Sequence, residues 1–113
     1  MTKTAFLFAG QGAQYLGMGR DLYDRYPIVK ETIDQASQVL GYDLRDLIDK
    51  EETKLNQTRY TQPAILATSV AIYRLLKEKG YQPDMVAGLS LGEYSALVAS
   101  GALDFEDAVA LVA

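Results

Sequence analysis

The segment Gly88-Leu89-Ser90-Leu91-Gly92 has the residue types and spacing that a serine nucleophile requires. It follows a short apolar run at residues 85–87, which is typical of a buried strand, and leads into a helical pattern at residues 93–100. A serine between such a strand and helix lies in a sharp turn, where flanking side chains would collide with the converging backbone. The helix that follows directs free N–H groups and its positive dipole end toward a forming oxyanion. We therefore predict a nucleophile elbow at residues 88–92, with Ser90 as the nucleophile.

A second glycine-rich loop, Gly10-Gln11-Gly12-Ala13-Gln14, follows the apolar run of residues 4–9, which we predict to be a buried strand. Such a loop lets backbone N–H groups approach a phosphate or an oxyanion. A dinucleotide site would require glycine where Tyr15 stands, and a P-loop would require lysine where Met18 stands. Hydrolase-like enzymes take one oxyanion donor from a loop after another strand, which favours the backbone N–H of Gln11. A tight turn with no ligand is the alternative.

The chain contains no histidine, although histidine is the usual general base beside a nucleophilic serine. It contains no cysteine either, so a disulfide framework and a thiolate metal site are both excluded. The net charge is −4, and the basic residues are scattered, which argues against a nucleic-acid partner. The apolar run near the N-terminus is too short for a signal peptide or a membrane span. We expect a cytoplasmic protein that does not bind a membrane.

Helical spacing and its boundary residues predict two helices in the first part of the chain. One begins at Pro27 and ends before Gly41. The other covers residues 64–79 after Pro63, and it is apolar around so much of its circumference that we expect it to be buried. Between them, residues 43–57 are mostly charged or polar, so we expect a surface segment with at most two helical turns.

The last part of the chain predicts the helix at residues 93–100, closed by Gly101, and another that begins at Phe105 with Asp104 as its cap. The two predicted strands are joined through helices, so they should be parallel neighbours in one sheet. Two strands alone rarely make a stable sheet, so we expect further strands outside this sequence. The predicted fold class is α/β, as part of a hydrolase-like domain with a parallel sheet flanked by helices.

Three segments together resemble signatures of the acyltransferase family of fatty-acid and polyketide synthesis. They are, in this order, Phe8-Ala9-Gly10-Gln11-Gly12-Ala13-Gln14, then Thr61-Gln62-Pro63-Ala64, then Gly88-Leu89-Ser90-Leu91-Gly92-Glu93-Tyr94. The resemblance spans the whole chain and is closest to the stand-alone members of bacterial fatty-acid synthesis. It implies that residues 1–113 form the N-terminal part of the large α/β subdomain. The rest of the sheet and a small inserted subdomain would then lie outside this sequence.

The resemblance also implies a reaction and its residues. Ser90 would take a malonyl group from malonyl-CoA and pass it to the phosphopantetheine thiol of an acyl carrier protein, without a cofactor. The backbone N–H groups of Gln11 and Leu91 would form the oxyanion hole, and Gln11 and Gln62 would contact the substrate. The family's catalytic histidine and carboxylate-binding arginine would lie beyond Ala113. The chain alone is therefore expected to be inactive.

Two other functions are compatible with parts of the pattern. A serine esterase or thioesterase shares the elbow, but such enzymes tend to carry a His-Gly-Gly stretch where this chain has Gly10-Gln11-Gly12. A non-catalytic interaction fragment would instead use the apolar surface that the missing part of the domain would have covered. Transfer assays with and without carrier protein distinguish the first alternative, and the length of the parent reading frame distinguishes the second.

Overall fold

The computed structural model describes residues 5–8, 14–80, 85–88 and 91–113 of the chain. The strands in these ranges are β1 (Ala5–Phe8) and β2 (Met85–Gly88). The helices are α1 (Arg20–Arg25), α2 (Pro27–Leu40), α3 (Leu44–Lys50), α4 (Glu52–Leu55), α5 (Thr58–Glu78), α6 (Leu91–Ala99) and α7 (Phe105–Val112).

The two strands lie side by side and run parallel, with Ala5 opposite Met85 and Phe8 opposite Gly88. This confirms the predicted parallel pair, and each strand begins and ends within one residue of its expected range. Helix α6 packs against both strands and against α5, and α5 in turn packs against α2 and α7. The sheet with its flanking helices confirms the α/β class.

Helix α2 has the boundaries that its sequence predicted. Pro27 occupies the first helical turn, where its missing N–H would have no partner in the helix. Gly41 ends the helix in the left-handed conformation, with φ of 82°, and its N–H donates to the carbonyl of Ser37. Local signals at the two ends therefore decided the length of this helix.

Helix α5 is longer than predicted, because it begins at Thr58 rather than after Pro63. Pro63 lies inside the helix, where it cannot donate to a preceding carbonyl. The preceding turn is held by Thr61, whose buried hydroxyl donates to the carbonyl of Gln57 at 2.9 Å and contacts the carbonyl of Leu55. Buried contacts around Thr61 thus extend the helix ahead of a residue that usually marks a helix start.

The prediction that residues 43–57 form a surface segment was wrong. The segment folds into α3 and α4, and four of its apolar side chains are almost fully buried: Leu44, Leu47, Ile48 and Leu55. The side chain of Asp43 caps α3 by accepting a hydrogen bond from the N–H of Asp46. These short helices are polar on one side only, so average composition hid their contribution to the core.

The remaining helices agree with the sequence in position but differ in detail. Helix α6 begins at Leu91, two residues before its predicted start, and Gly101 follows it with a left-handed φ of 83°. Helix α7 begins at Phe105 as expected, but Asp104 at its N-cap makes no side-chain capping hydrogen bond. Helix α1 was not predicted.

The core lies where α5 meets α2, α4 and α7, and α3 adds its buried side chains by packing against α2 and α4. Its fully buried large side chains include Ile33, Leu44, Ile48, Leu55, Ile65, Leu66, Val70 and Val109. None of the helices in the described ranges is both long enough and apolar enough to cross a bilayer.

Candidate active site

The junction between β2 and α6 has the order that a nucleophile elbow requires. β2 ends at Gly88 and α6 begins at Leu91, so only two residues connect the strand to the helix. Ser90 is one of these two and lies outside the described residues. Gly92, the second glycine of the motif, is buried in the first turn of α6. The strand and helix predicted on either side of Ser90 are therefore confirmed.

The end of β1 lies beside this junction. Phe8 is the last residue of β1 and pairs with Gly88, the last residue of β2. Both chain segments that follow therefore leave the same carboxyl edge of the sheet, which is where open α/β sheets bind ligands. Gln11, the predicted oxyanion donor and substrate contact, follows β1 and lies outside the described residues. Leu91, the other predicted donor, is the first residue of α6.

The backbone of Gly17 and Met18, just after the predicted oxyanion loop, is hydrogen-bonded to α3. The N–H of Gly17 donates to the carbonyl of Ile48 at 2.8 Å. The carbonyl of Met18 accepts a hydrogen bond from the buried guanidinium of Arg45 at 2.6 Å. Arg45 is oriented by the carboxylate of Asp49, which it meets at 2.7 Å. The segment that sequence composition assigned to the surface thus fixes the backbone on one side of the candidate site.

A hydrogen bond between two side chains involves the predicted loop motif itself. The Nε2 of Gln14 donates to the Oδ1 of Asn56 at 2.9 Å. Gln14 is the last residue of the glycine-rich loop motif, and Asn56 lies between α4 and α5. The sequence analysis did not single out Asn56, because no periodicity or motif spacing links positions 14 and 56.

Gln62, predicted to contact the substrate, lies in the second turn of α5. Its side chain is half-buried and makes no hydrogen bond to any other residue in the described ranges. Its neighbours in the helix, Thr61 and Pro63, are both buried. A half-buried amide with no hydrogen-bond partner among the described residues can bind a ligand, which is compatible with the predicted role.

A cleft of about 600 Å³ lies between residues 15–25 and the middle of α5. Thr68 lines it with a buried hydroxyl that has no hydrogen-bond partner in the described part of the chain. Gln62 does not line this cleft. Among the described residues, no group of three or more His, Cys, Asp or Glu side chains could hold a metal ion.

Comparison with known proteins agrees with this arrangement. The family model for the acyl transferase domain matches residues 5–113. The malonyl CoA-acyl carrier protein transacylase of Haemophilus influenzae is 57% identical over 115 residues, which cover 99% of this chain and 37% of that protein.

Two solved structures are also closely similar. The crystal structure of MCAT from Streptococcus pneumoniae has a TM-score of 0.96 and 94% identity, covering 97% of this chain and 36% of that one. A type II PKS acyl-carrier protein in complex with its malonyl-transacylase, PlMCAT with AntF, matches at a TM-score of 0.94 and 51% identity, covering 98% of this chain and 37% of that one. The chain spans little more than a third of the length of these relatives. Because the family model matches nearly its whole length, the chain belongs to the acyl transferase domain family.

Proposed function

We propose that this chain is the N-terminal part of an enzyme that transfers a malonyl group from coenzyme A to an acyl carrier protein. The observation that carries the proposal is the connection of β2 to α6 by two residues, one of which is Ser90. This strand-to-helix order, with a glycine on either side, is the setting that makes a serine hydroxyl an exposed nucleophile. The relatives named as malonyl transacylases support the choice of acyl group and acceptor.

In the first half of the reaction, Ser90 Oγ attacks the thioester carbonyl carbon of malonyl-CoA. The hydroxyl proton passes to a base, and the carbon–sulfur bond breaks, so that coenzyme A leaves as the thiol. In the second half, the phosphopantetheine thiol of the carrier protein attacks the malonyl ester. A new carbon–sulfur bond forms, the ester bond breaks and Ser90 recovers its proton. No cofactor takes part in this scheme.

The other predicted residues stabilise or bind the acyl group. We infer that the N–H groups of Gln11 and Leu91 donate to the oxyanion that forms in each half-reaction. The pairing of Phe8 with Gly88 supports this assignment, because both donors follow strands that end at the same sheet edge. The amide of Gln62, which has no hydrogen-bond partner among the described residues, is then a substrate contact.

The remaining parts of the site belong to the rest of the protein in this proposal. The sequence contains no histidine, so the general base comes from outside residues 1–113, as does the arginine that binds the malonyl carboxylate. These residues are then the N-terminal part of the large α/β subdomain, and the isolated chain is inactive. We infer a cytoplasmic location, since bacterial acyl-CoA and carrier-protein chemistry takes place there.

The experiment is to incubate the full-length protein with malonyl-CoA, with and without phosphopantetheinylated carrier protein. A transferase forms malonyl-carrier protein and releases little free malonate. Rapid release of malonate that carrier protein does not suppress would instead indicate a thioesterase. The 113-residue chain, assayed alone in parallel, should transfer no malonyl group, and transfer at the full-length rate would contradict the assigned origin of the base.

A further inference from the structure

The contact between Gln14 and Asn56 joins two parts of the chain that are distant in sequence. The distance from Gln14 Nε2 to Asn56 Oδ1 is 2.9 Å, which is a well-formed hydrogen bond between side chains. Gln14 stands three residues after Gln11 in the sequence. The bond therefore ties the end of the predicted oxyanion loop to the connection between α4 and α5.

Asn56 is held in place by its own helix. Its Nδ2 donates to the carbonyl of Glu52 at 2.9 Å, and its backbone N–H donates to the same carbonyl at 3.2 Å. A carbonyl can only accept a hydrogen bond, so this contact fixes which end of the Asn56 amide faces Glu52. The oxygen is left to face Gln14. The preceding residue, Leu55, is almost fully buried and anchors this end of α4 in the core.

The neighbouring backbone is fixed without Asn56. On one side, Phe8 is paired with Gly88 in the sheet. On the other side, Gly17 is hydrogen-bonded to the backbone of Ile48. Between these anchors, Gln14 is hydrogen-bonded to Asn56 through side chains. A substitution can therefore remove this bond and leave the backbone contacts on either side intact. An oxyanion donor must be placed accurately, because a small displacement costs much of its effect.

We propose that Asn56 is a positioning residue, which holds Gln14 and through it the backbone donor at Gln11. The inference rests on the function proposed above, and Asn56 itself is assigned no contact with the substrate. Loss of its oxygen should therefore slow acylation of Ser90 without weakening the binding of malonyl-CoA.

The test uses five variants of the full-length protein. Asn56→Ala removes the acceptor, whereas Asn56→Asp keeps an acceptor but loses the Nδ2 donor to the Glu52 carbonyl. Gln14→Ala is made alone and combined with Asn56→Ala, so that the coupling between the two positions is measured directly. Glu106→Ala is the matched control, because it breaks another exposed side-chain bond, the 2.7 Å contact with Gln35 that joins α2 and α7.

The single-turnover rate of acylation by malonyl-CoA should fall about 3- to 10-fold in Asn56→Ala, the range expected for one lost hydrogen bond. The KM and the thermal midpoint should hardly change. Asn56→Asp should recover part of the rate, the double variant should lose no more than the Asn56→Ala variant, and Glu106→Ala should behave as the wild type. Additive losses in the double variant, or a loss in Asn56→Ala no larger than that in Glu106→Ala, would overturn the proposal.

Amide hydrogen exchange supplies a readout that does not depend on activity. Exchange of residues 9–14 should be faster in Asn56→Ala and in Gln14→Ala than in the wild type, and it should be unchanged in Glu106→Ala. Unchanged exchange in Asn56→Ala would overturn the positioning role. Exchange could respond as expected although the wild type forms no acyl-enzyme at Ser90. In that case the proposed function is wrong, but Asn56 still stabilises residues 9–14.

Discussion

Phe8 and Gly88, the final residues of the two strands, are partners in the parallel register. The chain segments that carry Gln11 and Ser90 therefore begin next to each other, at the carboxyl edge of the sheet. Two motifs separated by 73 of the 113 residues thus start from neighbouring backbone positions. This relationship is the structural basis for treating them as parts of one site.

Replacing Gln62 tests whether its amide binds substrate. Because the Gln62 side chain has no hydrogen-bond partner among the described residues, Gln62→Ala should leave the thermal midpoint of the full-length protein unchanged. The KM for malonyl-CoA should rise several-fold, as expected for one lost polar contact to a ligand, roughly 2- to 10-fold.

Gln57→Ala provides the control for Gln62. Gln57 is exposed at the start of α5, and its side chain makes no capping hydrogen bond. This variant should behave as the wild type in steady-state assays. If Gln62→Ala lowers the thermal midpoint and leaves KM unchanged, Gln62 supports the fold rather than the substrate.

Two substitutions of Gln11 distinguish its backbone from its side chain. Gln11→Ala keeps the N–H, whereas Gln11→Pro removes it, so the proline variant should lose much more of the acylation rate. One lost oxyanion donor typically costs about 10²- to 10³-fold in rate. Both variants must show the circular dichroism spectrum and thermal midpoint of the wild type, because proline can also disturb the loop. Equal losses in two folded variants would argue against a backbone donor.

The buried ion pair of Arg45 and Asp49 should contribute more to stability than the exposed ion pair of Arg20 and Asp24. The side chains of Arg45 and Asp49 are 5% and 14% exposed, and Asp49 also contacts Arg20. Asp49→Ala leaves the Arg45 charge buried without its partner, which should lower the free energy of unfolding by about 3 kcal/mol or more.

Asp24→Ala is the matched comparison for Asp49→Ala. Asp24 is 53% exposed, and Arg20 is its one ion-pair partner among the described residues, so its removal should hardly change the denaturant midpoint. Hydrogen bonds to Asp49 and Asp24 raise the pKa of Arg20, so this side chain stays charged throughout the pH range of such measurements. Similar midpoints for the two alanine variants of the full-length protein would contradict the importance of the buried pair.

Local sequence signals predicted those parts of the fold that local chemistry decides. Pro27 and Gly41 set the ends of α2, and the glycine after each apolar run marked the end of a strand. The start of α5 could not be predicted, because it depends on the buried hydroxyl of Thr61 rather than on a capping residue. Burial of Leu44 and Leu55 was missed because it arises from tertiary packing, which a mostly polar composition does not reveal.

The candidate site also combines features that the local sequence predicts with features that depend on the tertiary structure. The pattern around Ser90 is local, so its strand and helix could be predicted from spacing. The contact between Gln14 and Asn56 spans 42 positions and depends on the path of α3 and α4, which the sequence analysis placed on the surface. Positioning contacts of this kind are specified by the fold and not by any one motif.

Covalent labelling of Ser90 tests the proposed function most directly. The full-length protein is mixed with malonyl-CoA and analysed by mass spectrometry before carrier protein is added, and the modified peptide is sequenced. We expect one malonyl group on Ser90, none in Ser90→Ala, and a wild-type adduct in the control Ser100→Ala, which changes an exposed serine at the other end of α6. An adduct at full stoichiometry in Ser90→Ala would contradict the assignment of the nucleophile and, with it, the proposed mechanism.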